Sequence, residues 1–89
     1  MKSSPVVKHS ISIDGQQTSI SLEKAFWTAL KEIAHERGES LRHLTASINA
    51  NREVGNLSSV IRLFVLEFYQ EQLARREQQE ITVEHRKQR

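Results

Sequence analysis

Residues that could catalyse a reaction or hold a metal are few and scattered in this 89-residue chain. Its histidines follow no spacing typical of a metal site; they are His9, His35, His43 and His85. The chain has no cysteine, which excludes disulfides and thiolate ligands. We identify no Ser-His-Asp grouping, no paired carboxylates in an apolar setting and no glycine-rich phosphate loop. We therefore predict that the protein is not an enzyme and binds no metal or other cofactor.

A second group of polar residues, Asn56, Ser58 and Ser59, stands where a helix is expected to begin. Asparagine accepts hydrogen bonds from the first backbone amides of a helix, so Asn56 is the predicted N-cap. The residues from Val60 to Tyr69 are apolar except for two charged side chains. Because these apolar residues point around the whole circumference, they predict a helix that is buried on all sides.

Residues 6–22 alternate between apolar and polar around Asp14-Gly15, the favoured two-residue turn of a β-hairpin. The register that this turn imposes pairs Ile13 with Gln16. One face is then mostly apolar and contains Val7, His9, Ile11, Ile13, Gln16, Thr18, Ile20 and Leu22. The other, which we call the polar face, contains Lys8, Ser10, Ser12, Gln17, Ser19 and Ser21. Both strands agree on which face is buried, so the register is well defined.

Three helices are predicted to follow the hairpin within one domain, residues 6–79. Their boundaries are 23–37 for the first, 40–50 for a short second helix and 57–79 for a long third helix. Gly38 is a residue type that commonly ends a helix, and Ser40 is the expected N-cap of the short helix. Residues 1–5 and the basic tail, residues 80–89, are predicted to be flexible.

A single copy of this chain is not expected to be stable. An isolated two-stranded hairpin is marginal in water, and a helix that is buried on all sides needs a partner. A two-fold dimer supplies both, because the last helices pack together and the strands pair across the axis. We therefore predict an α+β, mostly α-helical, intertwined and obligate homodimer. Its predicted interface contains Ile20, Leu22, Ile61, Phe64, Val65 and Phe68.

The segments QTSISLEKAFWTALKEIAHERG and GNLSSVIRLFVLEFY resemble the strand, first helix and second helix of the ribbon-helix-helix DNA-binding family. The longer set, TSISLE with Trp27 and then NLSSVIRLFVLE, is similar to a bacterial subfamily with an N-terminal hairpin and an extra short helix. The resemblance covers about residues 8–70. It implies a ribbon-helix-helix-like dimer, an N-terminal β-hairpin followed by three helices, that binds double-stranded DNA as a transcriptional regulator.

The resemblance also implies which residues contact DNA. In that family the paired strands of a dimer enter the major groove, where outward side chains read the bases. The matching residues are Gln17, Ser19 and Ser21; glutamine can bind adenine through two hydrogen bonds, and serine can contact several bases. The family also binds a phosphate at the N-terminus of its second helix, where free amides and the helix dipole attract anions. The matching residues there are Asn56, Leu57, Ser58 and Ser59. Lys8, the cation nearest to the ribbon strand, is a further predicted phosphate contact.

Two features keep a second function open. The strand that ends at Leu22 has no lysine or arginine. If both hairpins of a dimer stay paired, its outer strands lie about 14 Å apart, at roughly 4.8 Å per strand. The major groove is about 12 Å wide, so the outer strands must splay or bend back. The alternative is a non-enzymatic dimeric protein-interaction module on the same scaffold. Positive charge over the sheet from Lys8 and the C-terminal arginines would favour DNA.

Arg62 is expected to form a salt bridge between subunits, with a DNA contact as the alternative. Trp27 is expected to pack at the dimer or helix junction.

The longest apolar run is far shorter than the roughly 20 residues of a membrane span. Residues 1–12 lack the apolar core of a signal peptide. We therefore expect a cytoplasmic protein that does not contact a membrane.

Overall fold

The computed structural model describes residues 4–52 and 55–87, and for residues 79–87 it describes the backbone alone. Over these residues the chain forms a two-stranded antiparallel sheet followed by three helices. The elements are β1 (Val6–Ile13), β2 (Gln16–Glu23), α1 (Lys24–Glu36), α2 (Leu41–Ala50) and α3 (Leu57–Lys87). This order confirms the predicted α+β, mostly helical fold. None of the described helices is long and apolar enough to cross a membrane.

The hairpin has the predicted turn and the predicted register. Asp14 and Gly15 have φ angles of 51° and 81°, the positive values that a tight two-residue turn requires. The strands pair from Val6 with Glu23 to Ile13 with Gln16. β1 therefore stays paired with β2 along its whole length and does not splay away from it.

The N-terminus of α1 is capped by the segment that precedes β1. The backbone N–H of Lys24 donates to the carbonyl of Pro5 at 2.8 Å, and that of Ala25 donates to Ser4 Oγ at 2.9 Å. The side chain of Glu23, which precedes the helix, makes no capping bond. Ser4 and Pro5 therefore take the place of a local cap. Of the lead-in that was predicted to be flexible, residues 1–3 lie outside the described residues.

α2 begins where its cap was predicted. Ser40 Oγ accepts a hydrogen bond from the backbone N–H of His43 at 3.0 Å.

Each element contributes one apolar face to a shared core. The buried core residues are Ile13, Ile20 and Leu22 from the sheet, Leu30, Ile33 and Ala34 from α1, Leu44 and Ile48 from α2, and Leu57, Ile61 and Val65 from α3.

α3 is not buried on all sides within one chain. Ile61 and Val65 are 0% and 4% exposed, whereas Leu63 and Leu66 are 55% and 51% exposed. Complete burial was predicted for the dimer and stays a prediction, and the single chain leaves one side of α3 uncovered. The physical reason is coverage: a hairpin and two shorter helices can pack against one side of α3, and its opposite side keeps apolar residues in contact with solvent.

The backbone of α3 continues to Lys87, beyond the predicted end at residue 79. Residues 80–87 are therefore helical, although the sequence predicted a flexible tail there; residues 88–89 lie outside the described residues. The segment from Gln70 onward has no glycine or proline and is rich in glutamate, glutamine and arginine, which all favour a helix. A loss of apolar residues does not itself end a helix, because helices end at specific stop signals.

Candidate nucleic-acid interface

The polar face of the hairpin lies on the side of the sheet opposite the core. Its residues are exposed, with Ser12 half-buried. Gln17 Nε2 donates a hydrogen bond to Ser10 Oγ on the neighbouring strand at 2.9 Å. This bond crosses the hairpin diagonally, since Gln17 is paired with Ser12 in the register. The contact holds the Gln17 amide over the polar face, where its oxygen has no partner among the residues that the structure describes.

The N-terminus of α3 is capped, but two of its amides have no acceptor among the described residues. Asn56 Oδ1 accepts a hydrogen bond from the N–H of Ser59 at 2.9 Å, and the Asn56 carbonyl accepts one from Val60 at 3.2 Å. The prediction that Asn56 is the N-cap is therefore confirmed. The N–H groups of Leu57 and Ser58 have no acceptor within residues 4–52 and 55–87. Free amides at the positive end of a helix dipole form a site for an anion.

The four residues matched to a phosphate contact differ in what they can offer. The side chain of Leu57 is buried in the core, so this residue can offer its backbone N–H and nothing else. The hydroxyl of Ser58 donates to the carbonyl of Ser21 in β2 at 2.7 Å. Ser59 is exposed, and its N–H is bound to Asn56. An anion at this end of α3 would therefore meet the amides of Leu57 and Ser58 and the exposed side chains of Asn56 and Ser59.

Arg52 lies beside this helix end, and the sequence reasoning missed it. Its Nη1 donates to the carbonyl of Gly55 at 3.4 Å, one residue before the Asn56 cap. The side chain is exposed. Arg52 precedes Asn56 by four residues in the polar break between α2 and α3, so a search for cations close to the predicted helix start would have found it.

Arg62 contacts Glu23 of its own chain. Its Nε donates to Glu23 Oε1 at 2.7 Å, so the expected salt bridge between subunits is replaced by one within the chain. The hydrogen bond from Arg62 lowers the pKa of the Glu23 carboxyl below its ordinary value. The contact joins the second turn of α3 to the last residue of β2.

Positive charge does not concentrate over the polar face. In the described strands, Lys8 is the only cationic residue of the polar face. Arg75 and Arg76 lie on α3 far from the sheet. Ser58 contacts β2, and Arg75 is about 26 Å from Ser58 along the helix axis. Arg75 also lies 3.9 Å from a carboxylate oxygen of Glu71. The polar face is therefore close to neutral.

Most of the residues predicted at the dimer interface lie in the core of the single chain. Ile20, Leu22, Ile61 and Val65 are buried, and Phe64 and Phe68 are half-buried. The exposed large apolar residues of α3 are others, namely Leu63, Leu66, Tyr69 and Leu73. Beside them is a groove of about 320 Å³ between α2 and α3, lined by Arg37, Leu44, Ser47, Ile48, Asn51, Val60, Leu63, Phe64 and Glu67. The outward leucines of this helix, which the predicted interface leaves out, are thus exposed in the single chain.

Trp27 packs against the hairpin of its own chain. Its ring stacks on His9 with centroids 3.9 Å apart and planes at 10°. This contact joins α1 to β1 and explains why a histidine occupies the apolar face of the hairpin.

Among the residues that the structure describes, no group of three or more histidine, cysteine, aspartate or glutamate side chains could hold a metal ion.

The chain is similar to a known domain family and to a solved structure. The model of a ribbon-helix-helix domain family matches residues 6–69 of the chain. The solved structure of an uncharacterized protein from Bordetella pertussis Tohama I is similar, with a TM-score of 0.69 and 29% sequence identity. The match covers 83% of this chain and 63% of that one, so this chain spans less than two thirds of the other protein. No curated protein matches the chain.

Proposed function

The chain belongs to the ribbon-helix-helix domain family, whose model matches residues 6–69, and from this premise we propose that it is a homodimeric DNA-binding regulator of transcription. Proteins of this family are generally DNA-binding transcription regulators and not enzymes. The proposed activity requires access to the genome, which in a bacterium lies in the cytoplasm.

The observation that carries the proposal is the contact between the polar face and the N-terminus of α3. The hydroxyl of Ser58 donates to the carbonyl of Ser21 at 2.7 Å. Side chains that can read bases and amides that can bind a phosphate therefore adjoin each other on one side of the molecule. DNA presents base edges and phosphates side by side in the same way.

In the proposed complex the two groups have different roles. Gln17, Ser19 and Ser21 contact base edges, because their side chains are exposed and polar. The end of α3 contacts phosphate through Asn56, Leu57, Ser58 and Ser59, with the backbone amides as the main donors. Lys8, which is paired with Ser21 in the sheet, and Arg52, which bonds to the Gly55 carbonyl, add positive charge.

The proposed dimer uses the free edge of β2 and the exposed side of α3. Because Ser58 reaches the Ser21 carbonyl from α3, this carbonyl points away from β1. In an antiparallel pair every second residue points the same way, so the backbone groups of Ser19 and Gln17 also lie on the free edge. An exposed strand edge pairs readily with another strand. Two copies of β2 would pair there while Leu63 and Leu66 pack across the axis.

Two observations favour the alternative of a protein-interaction module. β1 stays paired with β2 throughout, so the dimer would have outer strands about 14 Å apart, against a major groove about 12 Å wide. The polar face is also nearly neutral. In this alternative the same dimer presents its sheet to another protein.

A salt titration separates the two functions. A random duplex library is first enriched on the wild-type protein, and the enriched site and a scrambled duplex are then titrated at several salt concentrations. Two phosphates per subunit give about four in the dimer and a log–log slope near −3.6. A preference for the enriched site with a slope of this size supports DNA binding. If neither duplex binds at about 50 mM salt, the DNA function is wrong and the protein-interaction module takes its place.

A further inference from the structure

Two hydrogen bonds attach the start of α3 to the end of β2. Ser58 Oγ donates to the carbonyl of Ser21, and Arg62 Nε donates to Glu23 Oε1; both distances are 2.7 Å. We call these four residues the β2–α3 clamp. The side chains of Arg62 and Glu23 are 34% and 29% exposed, so the contact lies at the margin of the core.

The two bonds have similar spacings on the helix and on the strand. Ser58 and Arg62 are four residues apart on a helix, which places them about 6 Å apart along the axis. Ser21 and Glu23 are two residues apart on a strand, which places them about 6.6 Å apart. The two pairs therefore face each other in register. Two parallel bonds oppose both sliding and rotation of the strand, which a single bond cannot do.

The apolar contacts between β2 and the helices are less directional than these hydrogen bonds. Ile20 and Leu22 are buried beneath the strand, but apolar burial is non-directional and tolerates small shifts. Hydrogen bonds restrict distance and angle. On its other edge the end of β2 is paired with β1, where Val6 is opposite Glu23. At this strand end the clamp thus lies on the edge that β1 leaves open, and the proposed strand pairing of the dimer uses the backbone groups of Ser19 and Gln17 further along that edge.

We propose that the β2–α3 clamp is a specificity-determining device, in which Arg62, Glu23 and Ser58 position the base-reading side chains relative to the phosphate site at the start of α3. This inference rests on the proposed DNA-binding function. A phosphate bound at α3 holds the protein in one position on the duplex, and the clamp then transmits this position to Ser21 and, along the strand, to Ser19 and Gln17. Arg62 and Glu23 act as positioning residues and need not touch DNA.

The clamp and simple electrostatics predict different results for Glu23→Gln. Removing a negative charge near the polar face should strengthen binding to every duplex if charge alone matters. If the clamp positions the strand, the ratio of the affinity for the enriched site to that for the scrambled duplex should instead fall by about fivefold or more in this variant. This loss is smaller than the discrimination that one good base contact contributes. Its affinity for scrambled DNA should stay equal or rise.

The experiment measures the ratio of the two affinities in the full-length wild type, Glu23→Gln, Arg62→Met and the double variant. The control is Glu36→Gln, which removes the same charge on α1, where the Glu36 carboxylate accepts a hydrogen bond from Gln72. We expect each clamp variant to lower the ratio, the double variant to lower it no further than the single ones, and the control to leave it unchanged.

Hydrogen–deuterium exchange of a peptide that covers β2 provides the second readout, and we expect faster exchange in Glu23→Gln than in the wild type. Faster exchange with an unchanged affinity ratio would mean that the clamp is merely structural, and would overturn the proposal. An unchanged ratio with unchanged exchange would overturn it as well. Failure of the proposed function has a different signature: the wild type itself binds neither duplex, and both proposals are then wrong.

Discussion

Gln17 is the residue with the greatest capacity to distinguish bases, because its amide carries both donors and an acceptor. It is exposed on the polar face, and its nitrogen donates to Ser10 Oγ. This bond uses one of the two amide hydrogens and restricts the rotamer, so less conformational entropy is lost when the amide contacts a base. The side chain is therefore partly pre-organised for the proposed role.

We expect Gln17→Ala to weaken binding to the enriched site by about 1–3 kcal/mol. Binding to scrambled DNA should barely change, since phosphate contacts supply that affinity. The measurement is a titration of both duplexes, with Gln16→Ala as a control, because Gln16 is also an exposed glutamine and adjoins Gln17. Equal losses on both duplexes would contradict a role in base reading.

Asn56 can be tested with two substitutions that separate capping from phosphate binding. Asn56→Ala should lower the free energy of unfolding by about 1 kcal/mol, because a cap is lost, and should weaken binding to all duplexes alike. Asn56→Asp keeps a good cap and adds a favourable charge at the helix N-terminus, so stability should be retained. Its carboxylate would repel a phosphate, however. If Asn56→Asp binds DNA as well as the wild type does, no phosphate lies at this helix end.

Glu23 makes the stability of the fold dependent on pH. Its pKa is held below the ordinary value of 4.5 by the hydrogen bond from Arg62. A lowered pKa in the folded state contributes stability that is present above pH 4.5 and is lost as the pH falls through the lowered pKa. The melting temperature of the wild type should therefore fall more between neutral and acidic pH than that of Glu23→Gln. Parallel curves for the two proteins would show that this pair does not contribute.

At the scale of secondary-structure elements, the hairpin depends on its turn. Gly15 has a φ of 81°, and a β-carbon added there would meet no atom within 4 Å. The obstacle to substitution is thus the backbone conformation and not the available space. A residue with a β-carbon loses roughly 1–2 kcal/mol in this region, and asparagine tolerates it better than others.

Gly15→Val should destabilise the hairpin by at least this amount while α3 stays largely helical, and Gly15→Asn should cost less. Circular dichroism reports the helices, and hydrogen exchange of β1 and β2 reports the hairpin. If the two variants have equal stability, the turn does not need a positive φ at this position.

At the scale of the whole molecule, the exposed apolar residues of α3 favour packing against a second chain. Leu66 is 51% exposed in the single chain. Leu66→Asp should therefore disturb the core of each chain little, but it should weaken the proposed dimer by about 2 kcal/mol per copy. A two-fold interface contains this residue twice.

Sedimentation over a range of protein concentrations measures this effect, with Lys31→Asp on the exposed surface of α1 as a control. The melting temperature should also depend on concentration, because dissociation and unfolding are coupled in an obligate dimer. A wild-type protein that sediments as a stable folded monomer would contradict the homodimer.

The sequence by itself determined the hairpin turn and two of the helix starts of this protein. The register around Asp14-Gly15 and the caps at Ser40 and Asn56 each follow from a few neighbouring residues. Such features depend on backbone conformation and on short-range hydrogen bonds, which nearby residue types specify directly. The assignment to the ribbon-helix-helix family also followed from short segments, since the order of the elements and their junctions carries it.

Only the tertiary structure decided how distant segments meet. Arg62 bonds to Glu23 and Ser58 to Ser21, and no pattern within α3 indicates either partner, because each pair is separated by more than thirty residues. The same holds for Leu63 and Leu66: periodicity shows that α3 is apolar all round, but which side is covered depends on where the other elements pack. Long-range packing is set by the sum of many weak contacts, and a single sequence does not display that sum.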